Sequence, residues 1–252
     1  MSPSFVVVCE AEQDRRTGCG LADRVFCAEV DWVEEELDPH RSWRGLLESE
    51  QHILWRDVPD LSRKLPVSPA HLHGHFGGEP GEPDAIAARR ALLVIKHKSD
   101  RKPDAVVLLR DDDGVSDRRR GLEQAREHVK IGVPVVIGLA RTKRECWVLA
   151  GFVLKTAAEK EALEAIRAEI GFDPCREPLR LNSPQKGDPR SIKDVLAKLT
   201  GDDWERESEC WTLCDLDLLR ERGEDTGLAA YLKEVESELV PLITGRTPPP
   251  QG

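Results

Sequence analysis

Three short apolar runs constrain the fold of this chain most strongly. They are SFVVVC at 4–9, AVVLLR at 105–110 and VPVVIGLA at 133–140. Runs of this length and composition are typical of buried strands, and a segment with helical spacing follows each of them. Because strands that alternate with helices form parallel sheets with right-handed crossovers, the sequence predicts an α/β fold with a parallel sheet flanked by helices.

Helical spacing continues between and beyond these runs. The predicted helices lie near 15–28, 84–98, 117–130, 157–170, 189–199 and 226–240. Asp84 and Asp117 stand at the start of two of them and are predicted N-caps, since a carboxylate accepts hydrogen bonds from the open amides of a first turn.

The predicted elements divide the chain into two regions and a tail. Residues 1–155 are the predicted α/β domain, in which the loop-rich stretch at about 29–80 is an insertion or lid. Residues 156–245 contain only predicted helices and form a helical C-terminal part, and residues 246–252 are a predicted disordered tail.

Composition narrows the class of protein. The chain has 252 residues of which 39% are hydrophobic, enough to bury a core. No run approaches the roughly 18 apolar residues of a membrane span, and the first strand reaches carboxylates too early for a secretory signal, so we expect a cytoplasmic protein with no membrane partner. Seven cysteines without a C-x-x-C pair favour reduced thiols over disulfides or structural zinc.

The formal net charge of -10 argues against indiscriminate coating of nucleic acid. Two basic clusters, Arg118 to Arg120 and Arg141 to Arg144, nevertheless stand beside the most acidic motifs. They are interpreted either as part of a local basic groove or as a solvated face.

Acidic side chains follow all three predicted strands. Glu10 follows the first, Asp111, Asp112 and Asp113 follow the second, and Glu145 follows the third. Ligands of parallel sheets bind at the carboxyl ends of the strands, so a site is predicted there. Asp-Gly is also a common turn, which leaves a purely structural interpretation open. Adjacent like charges repel, and a bound cation would relieve that repulsion.

Part of this pattern resembles the haloacid dehalogenase type of phosphotransferase. Its signature D-x-D-G-[TV] matches Asp111, Asp113, Gly114 and Val115 after an apolar strand. That resemblance implies a phosphatase in which Asp111 is the nucleophile and Asp113 the acid and base, with one Mg²⁺. It gives Glu10 no role.

A Glu after one strand and an Asp-x-Asp after another resemble the Toprim domain of topoisomerases, primases and nucleases of the overcoming-lysogenization-defect type. The first Toprim motif commonly reads E-G-x-x-[DE], and here it runs from Glu10 to Asp14 with Ala11 in place of the glycine. Asp111 and Asp113 supply the second motif.

Further segments resemble a bacterial Toprim-like family related to those nucleases and often encoded near ATPases. They are RTKRECWVLAGF with Glu145 and Trp147, GDPRSIKDVLAKL, and DLDLLRERGEDTGLAAYLKEV. The resemblance spans most of the chain and covers residues 29–80 least.

This resemblance implies a Mg²⁺- or Mn²⁺-dependent nuclease that cleaves nucleic acid, with DNA the expected substrate, in phage defence or DNA processing and with an ATPase partner. The implied metal ligands are Glu10, Asp14, Asp111, Asp113 and Glu145. The implied catalytic residues are Glu10, Asp111, Asp113, Lys143 and Arg144, the last two meeting a scissile phosphate. A Toprim-like interaction module without catalysis is the alternative.

A single tyrosine and three histidines are further candidates for chemistry. The single tyrosine, Tyr231, lies on a predicted C-terminal helix and is interpreted as packing, which favours hydrolysis over transfer to tyrosine. His71, His73 and His75 alternate in a Gly- and Pro-rich stretch, where zinc binding and contacts with phosphate or solvent are alternative interpretations. The sequence has no Walker-type phosphate loop, so an ATP-driven step would need a partner.

Overall fold

The computed structural model describes residues 2–32, 37–63, 65 and 74–245. Its strands, numbered along the chain, are β1 (Ser4–Cys9), β2 (Ser42–Arg44), β3 (Ile53–Leu54), β4 (His75–Phe76), β5 (Glu79–Pro80), β6 (Ala105–Asp111) and β7 (Val135–Ala140). The central sheet is parallel in the order β2-β1-β6-β7, β3 also pairs with β1, and β4 and β5 form a separate antiparallel pair. The predicted α/β class with a parallel sheet is confirmed.

Helices flank the sheet and fill the last part of the chain, as predicted. In the first region they are α1 (Glu12–Glu29), α2 (Val58–Ser62), α3 (Ala85–Lys98), α4 (Arg118–Val129) and α5 (Glu145–Ala150). The later helices are α6 (Ala157–Ile170), α7 (Ile192–Thr200), α8 (Trp204–Thr212), α9 (Leu216–Arg222), α10 (Leu228–Glu238) and α11 (Val240–Ile243).

The stretch predicted as an insertion at about 29–80 contributes directly to the sheet, which corrects that prediction. Phe5 of β1 pairs with Trp43 of β2, and Cys9 pairs with Leu54 of β3. Strands of two and three residues carry too little periodicity to be recognised from sequence. They extend the sheet beyond β1, which is why every residue of β1 is buried.

Alternate residues of the central strands pack on opposite faces of the sheet. Phe5 and Val7 belong to a core shared with α1 and the C-terminal helices, whereas Val6 and Val8 belong to a core shared with α3 and α4. We call the side of the sheet that carries Phe5 and Val7 the α1 face, and the side that carries Val6 and Val8 the α3 face.

The C-terminal helices complete the core on the α1 face. The ring of Tyr231 in α10 stacks on Trp147 of α5 with centroids 5.2 Å apart, and its hydroxyl donates to the Gly18 carbonyl at 2.8 Å. Glu234 of α10 accepts a hydrogen bond from the Ile137 backbone N–H at 2.9 Å. The two predicted regions of the chain therefore share one hydrophobic core.

Two predicted N-caps occupy the cap positions without acting as caps. Asp84 and Asp117 precede α3 and α4 in left-handed conformations, with φ of 66° and 62°, and neither side chain makes a capping hydrogen bond. Oδ2 of Asp84 instead lies 2.7 Å from Nε of Arg110 and 2.8 Å from Nε of Arg118. Ion pairing with two arginines has displaced the local capping contact.

His71, His73 and the predicted tail at 246–252 lie outside the described residues. The remaining histidine of that set, His75, is exposed on β4. Among the helices that the structure describes, none is long and apolar enough to cross a membrane.

We expect Tyr231→Phe to lower the free energy of unfolding by about 1–2 kcal/mol, because the Gly18 carbonyl loses its buried donor while the ring remains. Ser237→Ala on the same helix is the control, since it removes an exposed hydroxyl and should change stability by less than about 0.5 kcal/mol. Urea unfolding measures both. Equal stability of Tyr231→Phe and the parent chain would contradict the assigned role.

Candidate functional site

The carboxyl ends of β1 and β6 lie side by side. Val8 pairs with Leu108 in parallel register, so the residues that follow reach the same level. Glu10 follows β1 directly and Asp111 is the last residue of β6. The two acids therefore occupy neighbouring strand ends at one edge of the sheet.

These two acids have different neighbours. Leu109 packs on the α1 face, so Asp111, two residues later, points toward that face. Arg110 points toward the α3 face, where its Nε lies 3.7 Å from Oε1 of Glu10. Glu10 thus has a cationic neighbour, and Asp111 faces the residues of α1 and α5.

Asp111 lies among other carboxylates. Burial, and after it the nearby Asp14, Glu145 and Glu10 in that order, raise the pKa of Asp111 to about 8. One favourable contact opposes them, since Oδ1 of Asp111 accepts a hydrogen bond from the Arg144 backbone N–H at 2.8 Å. Asp111 is therefore a buried acid that is repelled by three neighbouring carboxylates.

The first turn of α1 fixes the Asp14 carboxylate. Oδ2 accepts a hydrogen bond from the Ala11 backbone N–H at 2.8 Å, and burial raises the pKa of Asp14. Ala11 has φ of -149°, an extended conformation open to any residue. The alanine therefore causes no backbone strain at the position where the Toprim motif commonly has glycine.

The other two aspartates of the run have different contacts. Oδ1 of Asp112 accepts a hydrogen bond from the Thr142 backbone N–H at 2.7 Å and so ties the two strand-end loops together. Asp113 is exposed, and its carboxylate lies 3.2 Å from Nη1 of Arg118 and 3.4 Å from Nζ of Lys143. Lys143 is half-exposed and remains accessible at the edge of the site.

Arg144 is buried, which corrects the prediction that it meets a scissile phosphate. Its Nη1 donates to Oε1 of Glu207 at 2.5 Å and to Oγ1 of Thr17 at 3.2 Å. Its guanidinium also lies 3.8 Å from Asp14 and 3.9 Å from Glu145. Arg144 is a fixed countercharge inside the carboxylate cluster.

The roles of Glu207 and Asp84 were not predicted from the sequence. Glu207 lies on α8, 63 residues after its partner Arg144, and no local motif connects the two. Asp84 joins Arg110 and Arg118, and the only sequence signal for it was the capping pattern that the structure does not use.

Mg²⁺ and Mn²⁺ prefer carboxylate oxygens, so the acids around Asp111 fit such an ion in donor type and charge. Within the described residues, however, no group of three or more His, Cys, Asp or Glu side chains is placed to hold a metal ion. These side-chain positions therefore do not bring the implied ligands Glu10, Asp14, Asp111, Asp113 and Glu145 together around one ion. Glu10 lies beside Arg110, and Asp113 pairs with Arg118 and Lys143.

The chain has no significant match among protein-family models, curated proteins or solved structures. The Toprim resemblance accordingly remains a prediction that rests on the motifs.

We expect Asp111→Asn to stabilise the protein at about pH 9 and to change its stability little at about pH 4. The folded-state pKa of Asp111 is raised from 3.8 to about 8, so its neutral form is favoured in the fold. The stability associated with that neutral form is present below the unfolded pKa and is lost as the pH rises through about 8. Asn keeps an oxygen for the Arg144 N–H and carries no charge.

Thermal unfolding across this pH range measures the effect, with Asp112→Asn as the matched control. That change removes the same charge from the neighbouring residue, whose carboxylate binds backbone N–H groups. A loss of stability in Asp111→Asn at alkaline pH would show that Asp111 is not under like-charge strain.

Proposed function

We propose that this chain is a Mg²⁺- or Mn²⁺-dependent phosphodiester hydrolase that acts on nucleic acid. The observation that carries the proposal is the position of Asp111, a buried carboxylate at a strand end whose pKa is raised to about 8 by burial and by three neighbouring acids. Clustered acids of this kind repel one another unless a cation offsets their charge, and carboxyl groups with strongly raised pKa values are concentrated at functional sites.

Asp111, Asp14 and Glu145 are the residues that would hold the ion on the α1 face, with Glu10 and Asp113 at the outer side. Their carboxylates would move closer together than the structure places them when the ion binds. The bound ion would supply charge neutralisation at the attacked phosphate. Binding requires the Asp111 carboxyl to lose its proton, so affinity for the ion rises with pH through about 8.

The basic residues divide into two roles in this proposal. Lys143 is accessible beside Asp113 and binds a phosphate oxygen of the substrate. Arg144 orients the acids, because its guanidinium is held by Glu207 and its backbone N–H donates a hydrogen bond to Asp111. Arg144 is therefore a positioning residue.

Glu10→Gln should remove metal-dependent cleavage of nucleic acid, and Asp111→Asn should do the same. Release of labelled fragments from single- and double-stranded DNA and RNA with Mn²⁺ measures the loss. The control is Asp112→Asn, which removes a charge from the same run and should retain most activity, since Asp112 contacts backbone N–H groups.

The same variants separate the rival functions. A dehalogenase-type phosphatase would hydrolyse a small phosphomonoester, lose activity in Asp111→Asn and keep it in Glu10→Gln. Full nuclease activity in Glu10→Gln contradicts the proposal, and a parent chain inactive on every substrate, even with its partner, favours the interaction module.

Charge is unevenly distributed along the chain. Residues 156–252 carry 13 Lys and Arg against 21 Asp and Glu, whereas residues 1–155 carry 24 against 26. The C-terminal helices therefore account for most of the net charge of -10, and α8 brings its acids directly to the site through Glu207. We propose that a partner, expected to be an ATPase from the family resemblance, supplies much of the grip on nucleic acid.

The isolated chain should accordingly bind DNA weakly without metal at about 0.15 M salt, because long-range attraction for phosphate is small and screening is effective beyond about 8 Å. Fluorescence anisotropy with a labelled oligonucleotide measures this. Tight metal-free binding under these conditions would contradict the need for a partner and leave the acidic site unaffected.

A further inference from the structure

A groove of about 590 Å³ opens on the α3 face, next to the acidic edge. Its size is typical of pockets for small organic groups, which range over about 300–1,000 Å³. Its apolar walls come from Trp55, Val58, Pro59, Ile86 and Ala87. Loop residues 81–84 and Arg90 complete the lining, and we call this the α3 groove.

The α3 groove is connected to the acidic edge through one side chain. The Arg110 guanidinium lies 5.0 Å from the Trp55 ring centroid and 2.7 Å from Oδ2 of Asp84, and both of these residues line the groove. Nε of the same arginine lies 3.7 Å from Glu10. A strand whose phosphate lies at Glu10 therefore has the groove as its immediate neighbour.

Three charged residues line the groove: Glu82 and Asp84, which lie within 4.0 Å of arginines outside it, and the cation Arg90. Most arginines of the described chain lie within 4.0 Å of a carboxylate, but no described carboxylate pairs with Arg90. Its Nε is buried and has no hydrogen-bond partner among the described residues. Because Arg90 lines the groove and no described carboxylate neutralises it, its guanidinium is placed to bind an anionic group in the groove.

We propose that the α3 groove binds one nucleotide of a single strand, the one next to the phosphodiester bond at the acidic edge. The base lies between the apolar walls and its phosphate accepts from Arg90. An aliphatic occupant would leave Arg90 without an acceptor, and a simple anion would leave the apolar walls in water. A single strand is required because the faces of a base in a duplex are already stacked. This inference rests on the proposed hydrolase and names its substrate.

The test is an abasic scan. Asp111→Asn protein, in which we expect no cleavage, is titrated in EDTA at low salt, where weak binding to phosphate is strongest, with labelled single strands that lack one base at successive positions. We expect one position at which the missing base weakens binding about tenfold, because a stacked base contributes about that much.

Arg90→Gln in the same background should weaken binding of the intact strand about tenfold and abolish the dependence on that position. Arg90→Lys should recover part of the affinity, and a parent-like thermal unfolding curve shows that the variants are folded. The matched control is Lys160→Gln, which removes one positive charge from the exposed surface of α6 and should bind as the background does.

Uniform losses along the scan, or equal binding by Arg90→Gln and Lys160→Gln, would overturn the inference. Competition by a free mononucleotide as strong as that of the strand would also overturn it, since the ligand would then be a small molecule. These outcomes are independent of cleavage. If the parent chain cleaves nucleic acid but the scan shows no special position, the groove proposal is contradicted and the hydrolase proposal stands. If the parent chain is inactive but one position stands out in the scan, the hydrolase proposal is contradicted and the groove proposal stands.

Discussion

The parallel pairing of β1 with β6 is the constraint on which the site depends. It brings the chain after Cys9 and the chain after Arg110 to one edge of the sheet, and both segments carry acids. Burial of Asp111 beside Asp14 and Glu145 follows, because the first turn of α1 and the start of α5 cover the same edge. Backbone N–H groups of Ala11 and Arg144 offset part of the repulsion.

Arg144 explains why the C-terminal helices belong to the site. A buried guanidinium needs counterions and acceptors, and Glu207 of α8 supplies the shortest of them. The contact places α8 against the acids, while the stacking of Tyr231 on Trp147 secures α10 against α5. The helical region therefore sets the electrostatics of the edge as well as completing the core.

The long, regular elements were predictable and the short or nonlocal ones were not. β1, β6 and β7 were recognisable because their apolar runs are buried on both faces. β2 and β3 are too short to show a period, so a sheet edge was predicted as an insertion.

At the site, the sequence predicted that acids collect at the strand ends. It did not predict which face each acid points toward, because that depends on the register of the strands. Arg144 was predicted to meet a scissile phosphate, since nothing in the sequence connects it with its partner Glu207, 63 residues away. Arg90 of the α3 groove belongs to no motif.

The most direct test of this account is an anomalous difference map from a crystal soaked in Mn²⁺ at alkaline pH, where Asp111 is ionised. The account predicts a peak on the α1 face among Asp111, Asp14 and Glu145, and no peak in the same soak of Asp111→Asn. A crystal soaked in a saturating concentration of Mn²⁺ that shows no anomalous peak at this edge, with the carboxylates still in their present contacts, would contradict the proposal.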